Sequence, residues 1–128
     1  LSMPKAPDPL AEYIADQLRD WAPVTVRRLF GGWGIYRGPL MFGLIARDTI
    51  YFRVDAANRP DYEAAAGPRP FTYTMPNGKT VAMAYYEVPA DVLEDVEALP
   101  QWAAKAEAAA LRAKAGKTGK PAKKQGAK

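Results

Sequence analysis

The spacing of apolar residues changes along the chain, and each change predicts a new element. Over residues 10–21 apolar side chains recur every three or four positions, which indicates an amphipathic helix that begins at Asp8 and Pro9 and ends before Pro23. Short apolar runs separated by turn residues then predict a meander of hairpin-linked strands. These strands cover residues 24–30, 35–36, 40–46 and 50–54, with residues 31–34 as a turn or bulge and 47–48 as a tight turn.

The second half of the chain returns twice to helical spacing. A helix capped by Asp55 or Asn58 is predicted to run to about residue 66, where a Gly-Pro pair stops it. A kink or restart is expected at Pro100, because proline lacks the N–H that a helix interior needs. The other predicted elements are strands over residues 71–74 and 79–87, a short helix near 90–94 and a longer helix to about residue 113.

The order of these elements predicts the architecture. Connections between the strands are too short for parallel crossovers, so neighbouring strands are expected to be antiparallel. The helices are expected to cover one face of the sheet. The predicted fold class is α+β in two layers, with an antiparallel or mixed sheet of about six strands in the order α-β4-α-β2-α.

The net charge of +4 combines two unlike parts. The last 16 residues hold six of the 18 basic residues and none of the 14 acidic ones, so the body has a charge of −2 and the tail +6. The tail has no apolar residue larger than alanine, which predicts disorder over residues 114–128 after a folded domain over 8–113. A short disordered segment over residues 1–7 is predicted before that domain.

Two interpretations of the basic tail are open. Lysines on a flexible segment neutralise nucleic-acid phosphates without reading the base sequence, and such a segment also serves simply as a solubilising tail. The candidate nucleic-acid residues are Lys114, Lys117, Lys120, Lys123, Lys124 and Lys128.

The composition argues against several kinds of chemistry. The chain has no cysteine and no histidine, which removes disulfides, the commonest transition-metal ligands and the Ser-His and Cys-His nucleophile pairs. No motif of paired carboxylates stands out either. We therefore expect a protein that is not an enzyme and has no cofactor or metal. The missing cysteines and the absence of an apolar leader or membrane-length segment predict a cytoplasmic location without membrane contact.

The aromatic residues of the strands suggest a binding surface, and again two interpretations are open. Aromatic side chains on a sheet ordinarily alternate between core and surface. An exposed aromatic face beside arginines would instead bind a partner or stack on nucleic-acid bases. The candidate surface consists of Arg27, Arg28, Trp33, Tyr36 and Arg37. A second polar group, Asp55, Asn58, Arg59 and Glu63, is interpreted as helix capping with a surface ion pair.

An ordered set of short motifs resembles a known family. The set includes RLFGGWGIY at 28–36, MFGLIA at 41–46, YFRVD at 51–55, PFTY at 70–73 and MAYY at 83–86. In this order, over residues 10–112, they resemble the N-terminal domain of the TfoX/Sxy competence regulators. The resemblance implies a two-layer domain with a topology like that of secretion chaperones.

The resemblance also implies a function. Members named for their function promote bacterial competence genes together with the cyclic-AMP receptor protein. The leading hypothesis is therefore a bacterial regulatory module that binds a protein partner, such as a transcription factor, or a second copy of itself, while the tail contacts nucleic acid nonspecifically. The alternative is a small-molecule-binding domain or an uncharacterised enzyme, which an aromatic-lined pocket with converging charged groups would favour.

Overall fold

The computed structural model describes residues 9–29, 31–65 and 67–118, and these residues form a six-stranded sheet with four helices. In chain order the elements are α1 (Pro9–Leu18), β1 (Thr25–Leu29), β2 (Gly32–Arg37), β3 (Leu40–Ala46), β4 (Thr49–Arg53), α2 (Arg59–Ala65), β5 (Pro70–Thr74), β6 (Thr80–Glu87), α3 (Ala90–Leu93) and α4 (Ala98–Thr118). The strand order is β1-β2-β3-β4-β6-β5, and every neighbouring pair is antiparallel. The predicted α+β fold class is confirmed.

The main core lies between the sheet and the helices. Each helix contributes at least one buried side chain to it, such as Ile14 from α1, Tyr62 from α2 and Leu99 from α4. On α4 the small residues Ala103, Ala106 and Ala110 are buried at helical spacing, and this helix packs against β3 and β4. Because all four helices pack their buried side chains into this core, they form a single layer on one face of the sheet.

The connection between β1 and β2 is shorter than predicted. Residues 32–34 belong to β2, since Gly32 pairs with Leu29 and Gly34 with Arg27. The prediction of a turn or bulge over residues 31–34 is therefore wrong for three of its four positions. Of these four positions only Gly31 lies outside β2, and its φ of +91° is a conformation that glycine adopts easily. Glycine is needed at position 32 because a Cβ there would lie 2.2 Å from the carbonyl oxygen of Ile45, and at position 34 a Cβ would meet the side chains of Tyr36 and Met41.

A β-bulge in β3 changes which residues face the helices. Gly43 lies opposite Ile35 and Met41 lies opposite Tyr36, so Phe42 is an extra residue in the ladder. Phe42 is fully buried in the main core, and its ring lies 5.8 Å from the ring of Phe52. The bulge also leaves Met41 and Leu44, three positions apart, in the same apolar cluster on the opposite face.

Two helix boundaries differ from the prediction. α1 ends at Leu18, and Trp21 lies in the turn that follows while its ring still contacts that of Phe42 at 5.8 Å. Pro100 is the third residue of α4, where the helix tolerates proline because first-turn N–H groups have no intrahelical partner. No kink is needed there, since the helices are already separated by residues 94–97.

The last helix continues five residues beyond its predicted end. α4 runs to Thr118, so Lys114 and Lys117 lie in a helix rather than in the predicted tail. The alanine-rich sequence explains the extension, because alanine has the highest intrinsic helix propensity. Lys120, Lys123, Lys124 and Lys128 and the predicted N-terminal segment over 1–7 lie outside the described residues. Over the described ranges, no helix is long and apolar enough to cross a membrane.

Two tyrosine hydroxyls in the helical layer have opposite environments. The hydroxyl of Tyr13 donates to the carbonyl of Leu93 and so joins α1 to α3. The hydroxyl of Tyr62 is buried without a hydrogen-bond partner among the described residues, and this burial raises the pKa of Tyr62. Its ring lies 4.7 Å from the ring of Trp102, in well-packed surroundings.

These environments predict opposite effects of the same substitution. Tyr62→Phe is expected to raise the free energy of unfolding by about 1 kcal/mol, because it removes an unpaired polar group from the core. Tyr13→Phe is expected to lower it by about 1 kcal/mol, because it breaks a hydrogen bond. Urea denaturation of both variants measures the difference. A loss of stability in Tyr62→Phe would show that its hydroxyl has a partner in solution.

Candidate binding face of the sheet

The face of the sheet opposite the helices carries a second apolar cluster. Its members, which define the open face, are Leu44, Tyr51, Tyr85, Met41, Ala46, Phe71 and Met83. All seven lie on strands, so no helix of the described chain covers them. An antiparallel sheet with one solvated face normally places polar side chains there. This face is apolar instead, which makes it the candidate site.

A groove of about 650 Å³ lies on the open face. Its lining comes from β1 and β2 on one side, from β3 in the middle, and from β5 and β6 on the other. The side chains that shape this apolar groove include Leu29, Met41, Leu44, Phe71, Tyr73 and Met83. Tyr73 is 41% exposed, more than any other aromatic side chain on the described strands. The groove therefore offers an apolar surface that crosses the strands.

Arginines surround the open face and lie over its aromatic rings. The distances from guanidinium carbon to ring centroid are 4.8 Å for Arg27 over Tyr36, 5.3 Å for Arg47 over Phe71 and 5.4 Å for Arg53 over Tyr85. Such cation–π contacts hold each guanidinium against the sheet while leaving its charge unneutralised. None of these three arginines has a carboxylate partner among the described residues.

The β3–β4 turn places one of these arginines at the border of the groove. Arg47 and Asp48 have φ values of +51° and +61°, the pattern of a two-residue type I′ hairpin, which confirms the predicted tight turn. Arg47 also donates from Nη2 to the carbonyl of Thr72 on β5 at 2.9 Å. This bond extends Arg47 across the sheet toward its β5 edge and fixes its position.

The ion pairs of the described chain belong to the helical layer. Each of the four includes a residue of α1, α2 or α4: Arg19 with Asp16, Arg37 with Glu107, Lys105 with Asp61, and Arg112 with Asp55. The strands themselves contain four arginines and one carboxylate, Glu87. The sheet is therefore cationic, although the body of the chain as a whole is slightly acidic.

The structure does not bring the five predicted surface residues together. Neighbouring residues of a strand point to opposite faces, so Arg27 and Arg28 separate. Arg27 lies with Tyr36 on the open face, whereas Arg28 stacks at 5.1 Å on Trp33, which packs against the main core and also lines the groove. Arg37 is also on the helical side, where its Nη1 lies 3.0 Å from Glu107. The structure therefore divides the five residues between the two faces of the sheet, and their role in binding stays a prediction.

The other interpretation, alternation between core and surface, describes most of the sheet aromatics. Phe42 and Phe52 are buried under the helices, and Tyr51 and Tyr85 are only 8% and 5% exposed on the open face. Rings this buried leave little area for stacking on bases. Sequence reasoning missed Met41 and Met83 and counted Tyr73 only among the aromatic residues of the sheet, although the large apolar side chains at every second position over 71–73 and 83–85 were a signal for one-sided strands.

The predicted polar cluster has a structural role. Asn58 is only 2% exposed, and its side chain accepts from the N–H of Asp55 and donates to the carbonyl of Arg53. Asp55 accepts from the N–H of Ala57 and binds Arg112 through both carboxylate oxygens, at 2.6 and 3.0 Å. These contacts shape the β4–α2 loop and attach it to α4. Within the described chain, neither side chain accepts from an N–H group of α2, so the predicted helix cap is not formed by Asp55 or Asn58.

The predicted ion pair within α2 is not formed. The guanidinium of Arg59 lies 5.9 Å from the ring centroid of Tyr86, and the described contacts do not join it to Glu63. Over the described ranges, no three acidic side chains gather in a way that would hold a metal ion.

The Asp55–Arg112 pair predicts a pH effect on stability. The hydrogen bond from Arg112 lowers the pKa of Asp55 below its usual value of about 3.9. The unfolded chain then binds the proton more readily, so the pair stabilises the fold above about pH 4 and loses its effect as the pH falls through the lowered folded-state pKa. Urea denaturation across this range should show wild type and Asp55→Asn converging in acid. A difference that is equal at every pH would contradict this role.

Taken together, these observations define a small two-layer α+β domain whose sheet has one helix-covered face and one apolar, arginine-bordered face. The sequence model of the TfoX N-terminal domain matches residues 16–110, which is most of the chain. The chain therefore belongs to the TfoX N-terminal domain family, and the resemblance found in its motifs is confirmed. Among curated proteins, no similar sequence was found.

Proposed function

We propose that this chain is a bacterial cytoplasmic regulatory module that acts by binding a protein partner through the open face. The family points to the control of transcription and natural competence, with a transcription factor such as the cyclic-AMP receptor protein as the partner. The observation that carries the proposal is an apolar sheet face that no described helix covers. Contiguous apolar surface of this kind is typical of interaction sites.

The residues of the groove support binding rather than catalysis. The chain has no histidine or cysteine, and the groove is lined mainly by aliphatic, aromatic and methionine side chains. A nucleophile next to a base is the usual mark of covalent catalysis, and the lining offers no such pair. Among the described residues, Arg47 is the only charged side chain in the lining, and its Nη2 already donates to a backbone carbonyl. The module is therefore proposed not to be an enzyme.

Nucleic-acid contact through the C-terminal lysines forms the second part of the proposal. Lys114 is exposed near the end of α4, and five further lysines follow it in the sequence. If all six engage duplex phosphates, the logarithm of the binding constant falls with the logarithm of salt concentration with a slope of about −5. A band-shift series across salt measures this slope. A slope near zero would leave the lysines as a solubilising segment.

Capture of partners by the immobilised full chain from the cytosol of its source tests the main proposal. Tyr73→Glu places a charge on the exposed border of the apolar groove. Leu111→Glu is the matched control, because Leu111 is 52% exposed on α4, in the helical layer. We expect a protein that wild type and Leu111→Glu retain and Tyr73→Glu loses. Equal capture by all three chains, or none by any, contradicts the proposal.

A small-molecule ligand is the second candidate, because the groove volume of about 650 Å³ falls within the range of ligand sites. The two functions differ in what the wild type retains. Metabolites lost from Tyr73→Glu without any accompanying protein would favour this alternative.

A further inference from the structure

The open face also specifies the kind of segment that fits it. We infer that the partner contributes an acidic amphipathic helix, which lies across the strands in the apolar groove. This inference rests on the proposed function and adds to it the secondary structure and the charge of the docking element.

The position of the groove favours a helix over an extended strand. The groove lies over side chains from β1 to β5, whereas the unpaired backbone groups of a sheet lie along its edges. An extended segment in the groove would lose water from its own N–H and C=O groups without finding backbone partners. A helix satisfies those groups internally and presents one apolar stripe, with anchors spaced at i, i+3 or i+4, and i+7.

The side chains that line the groove are suited to contact the apolar stripe of a docked helix. Met41 and Met83 are half-buried and belong to the same cluster as Phe71. Methionine side chains adapt to irregular surfaces because they are unbranched and polarisable, a property that peptide-binding grooves use. Tyr73 adds an exposed ring whose hydroxyl is able to bond with polar groups at the border of a docked helix.

The charge of the face favours an acidic partner. Arg27, Arg47 and Arg53 face this side without carboxylate partners and outnumber Glu87, the one acidic residue of the described strands, which lies opposite Tyr51 on the same face. An acidic helix would supply the missing partners in charge-assisted contacts. A second copy that docked face to face would bring the two sets of arginines together, and single-stranded nucleic acid would find Tyr51 and Tyr85 already buried.

Selection from a displayed library of random peptides tests the inference without assuming a partner. Peptides of about 18 residues are long enough for five helical turns. The library is selected on the full chain, after peptides that bind Tyr73→Gln have been removed, so that the removal step introduces no charge of its own. We expect the enriched peptides to be net acidic, with apolar residues at helical spacing. Failure to enrich any peptide, or enrichment without acidic residues, overturns the inference.

Charge-matched variants then locate the acidic contact. Arg27→Gln with Arg47→Gln removes two positive charges from the open face, while Arg19→Gln with Lys105→Gln removes two from the helical layer. For the tightest selected peptide, fluorescence anisotropy at low salt should show about tenfold weaker binding to the first double variant and about twofold or less to the second. Equal weakening, competition by single-stranded oligonucleotides, or self-association of the chain through the groove in sedimentation overturns the inference.

The two proposals fail in distinguishable ways. If Tyr73→Glu loses the cytosolic partner but the arginine variants retain it, the open face binds a protein that is not an acidic helix. If Tyr73→Glu captures the same proteins as wild type, the proposed function itself fails.

Discussion

Replacing Phe42 with alanine is expected to lower the free energy of unfolding by about 4 kcal/mol, because it empties a fully buried aromatic site. The phenyl ring lies 5.8 Å from the rings of both Trp21 and Phe52, so the cavity would open between the sheet and the helical layer. A domain of this size is commonly stable by about 5–15 kcal/mol, so the variant should be close to unfolding at room temperature. Urea denaturation followed by circular dichroism measures the loss.

Met41→Ala is the control, since Met41 is the adjacent residue in the chain but lies on the open face. Its side chain is half-buried, and its truncation should cost only about 1 kcal/mol. The difference between the two losses tests which face of the sheet each residue occupies, because successive side chains of a strand point to opposite faces. Similar losses at both positions would indicate that β3 has a different register in solution.

Gly32→Ala is the second substitution with a large expected effect. An ideal Cβ at this position would lie 2.2 Å from the carbonyl oxygen of Ile45, far closer than van der Waals contact allows. That oxygen belongs to the backbone, so β2 and β3 must move apart and their ladder must distort. We expect a loss of about 3 kcal/mol, toward the upper end of the cost of overpacking. Thermal unfolding of wild type and variant under the same conditions measures this loss.

Gly31→Ala separates steric contact from backbone conformation. Gly31 has a φ of +91°, but no atom lies within 4 Å of the position of its missing Cβ. The added methyl group should therefore cost only the backbone strain, about 1 kcal/mol. A larger loss at position 31 than at position 32 would contradict the close approach of β2 to β3.

Much of the fold was predictable because the apolar residues of most helices and strands follow the spacing that is typical of that element. The helical spacing of residues 10–18 and the apolar runs of the strands depend on local residues alone, and the short connections imply antiparallel pairing. The bulge was not predictable, since residues 40–46 are apolar apart from Gly43. A run without polar residues shows no alternation, so an inserted residue leaves no trace in the pattern.

For the candidate site, the sequence predicted the types of residue involved but not their arrangement. Arginines and aromatic residues on the strands suggested a surface, but a linear pattern does not show which faces they share. Phe71 and Tyr51 are 20 positions apart in the chain. Their rings lie 5.3 Å apart because β6 pairs with both β4 and β5 and so brings these strands into one sheet. Arg47 joins this group through its bond to Thr72, a contact that only the tertiary structure creates.

The late position of α4 in the chain has a consequence for how the protein is made. The helix that supplies Leu99, Ala103 and Ala106 to the main core is the last described element to leave the ribosome. Until α4 emerges, the nascent sheet exposes apolar side chains on both faces. One face is later covered by α4, and the other is the open face. Aggregation during synthesis should therefore be most severe in the interval between completion of β6 and release of α4.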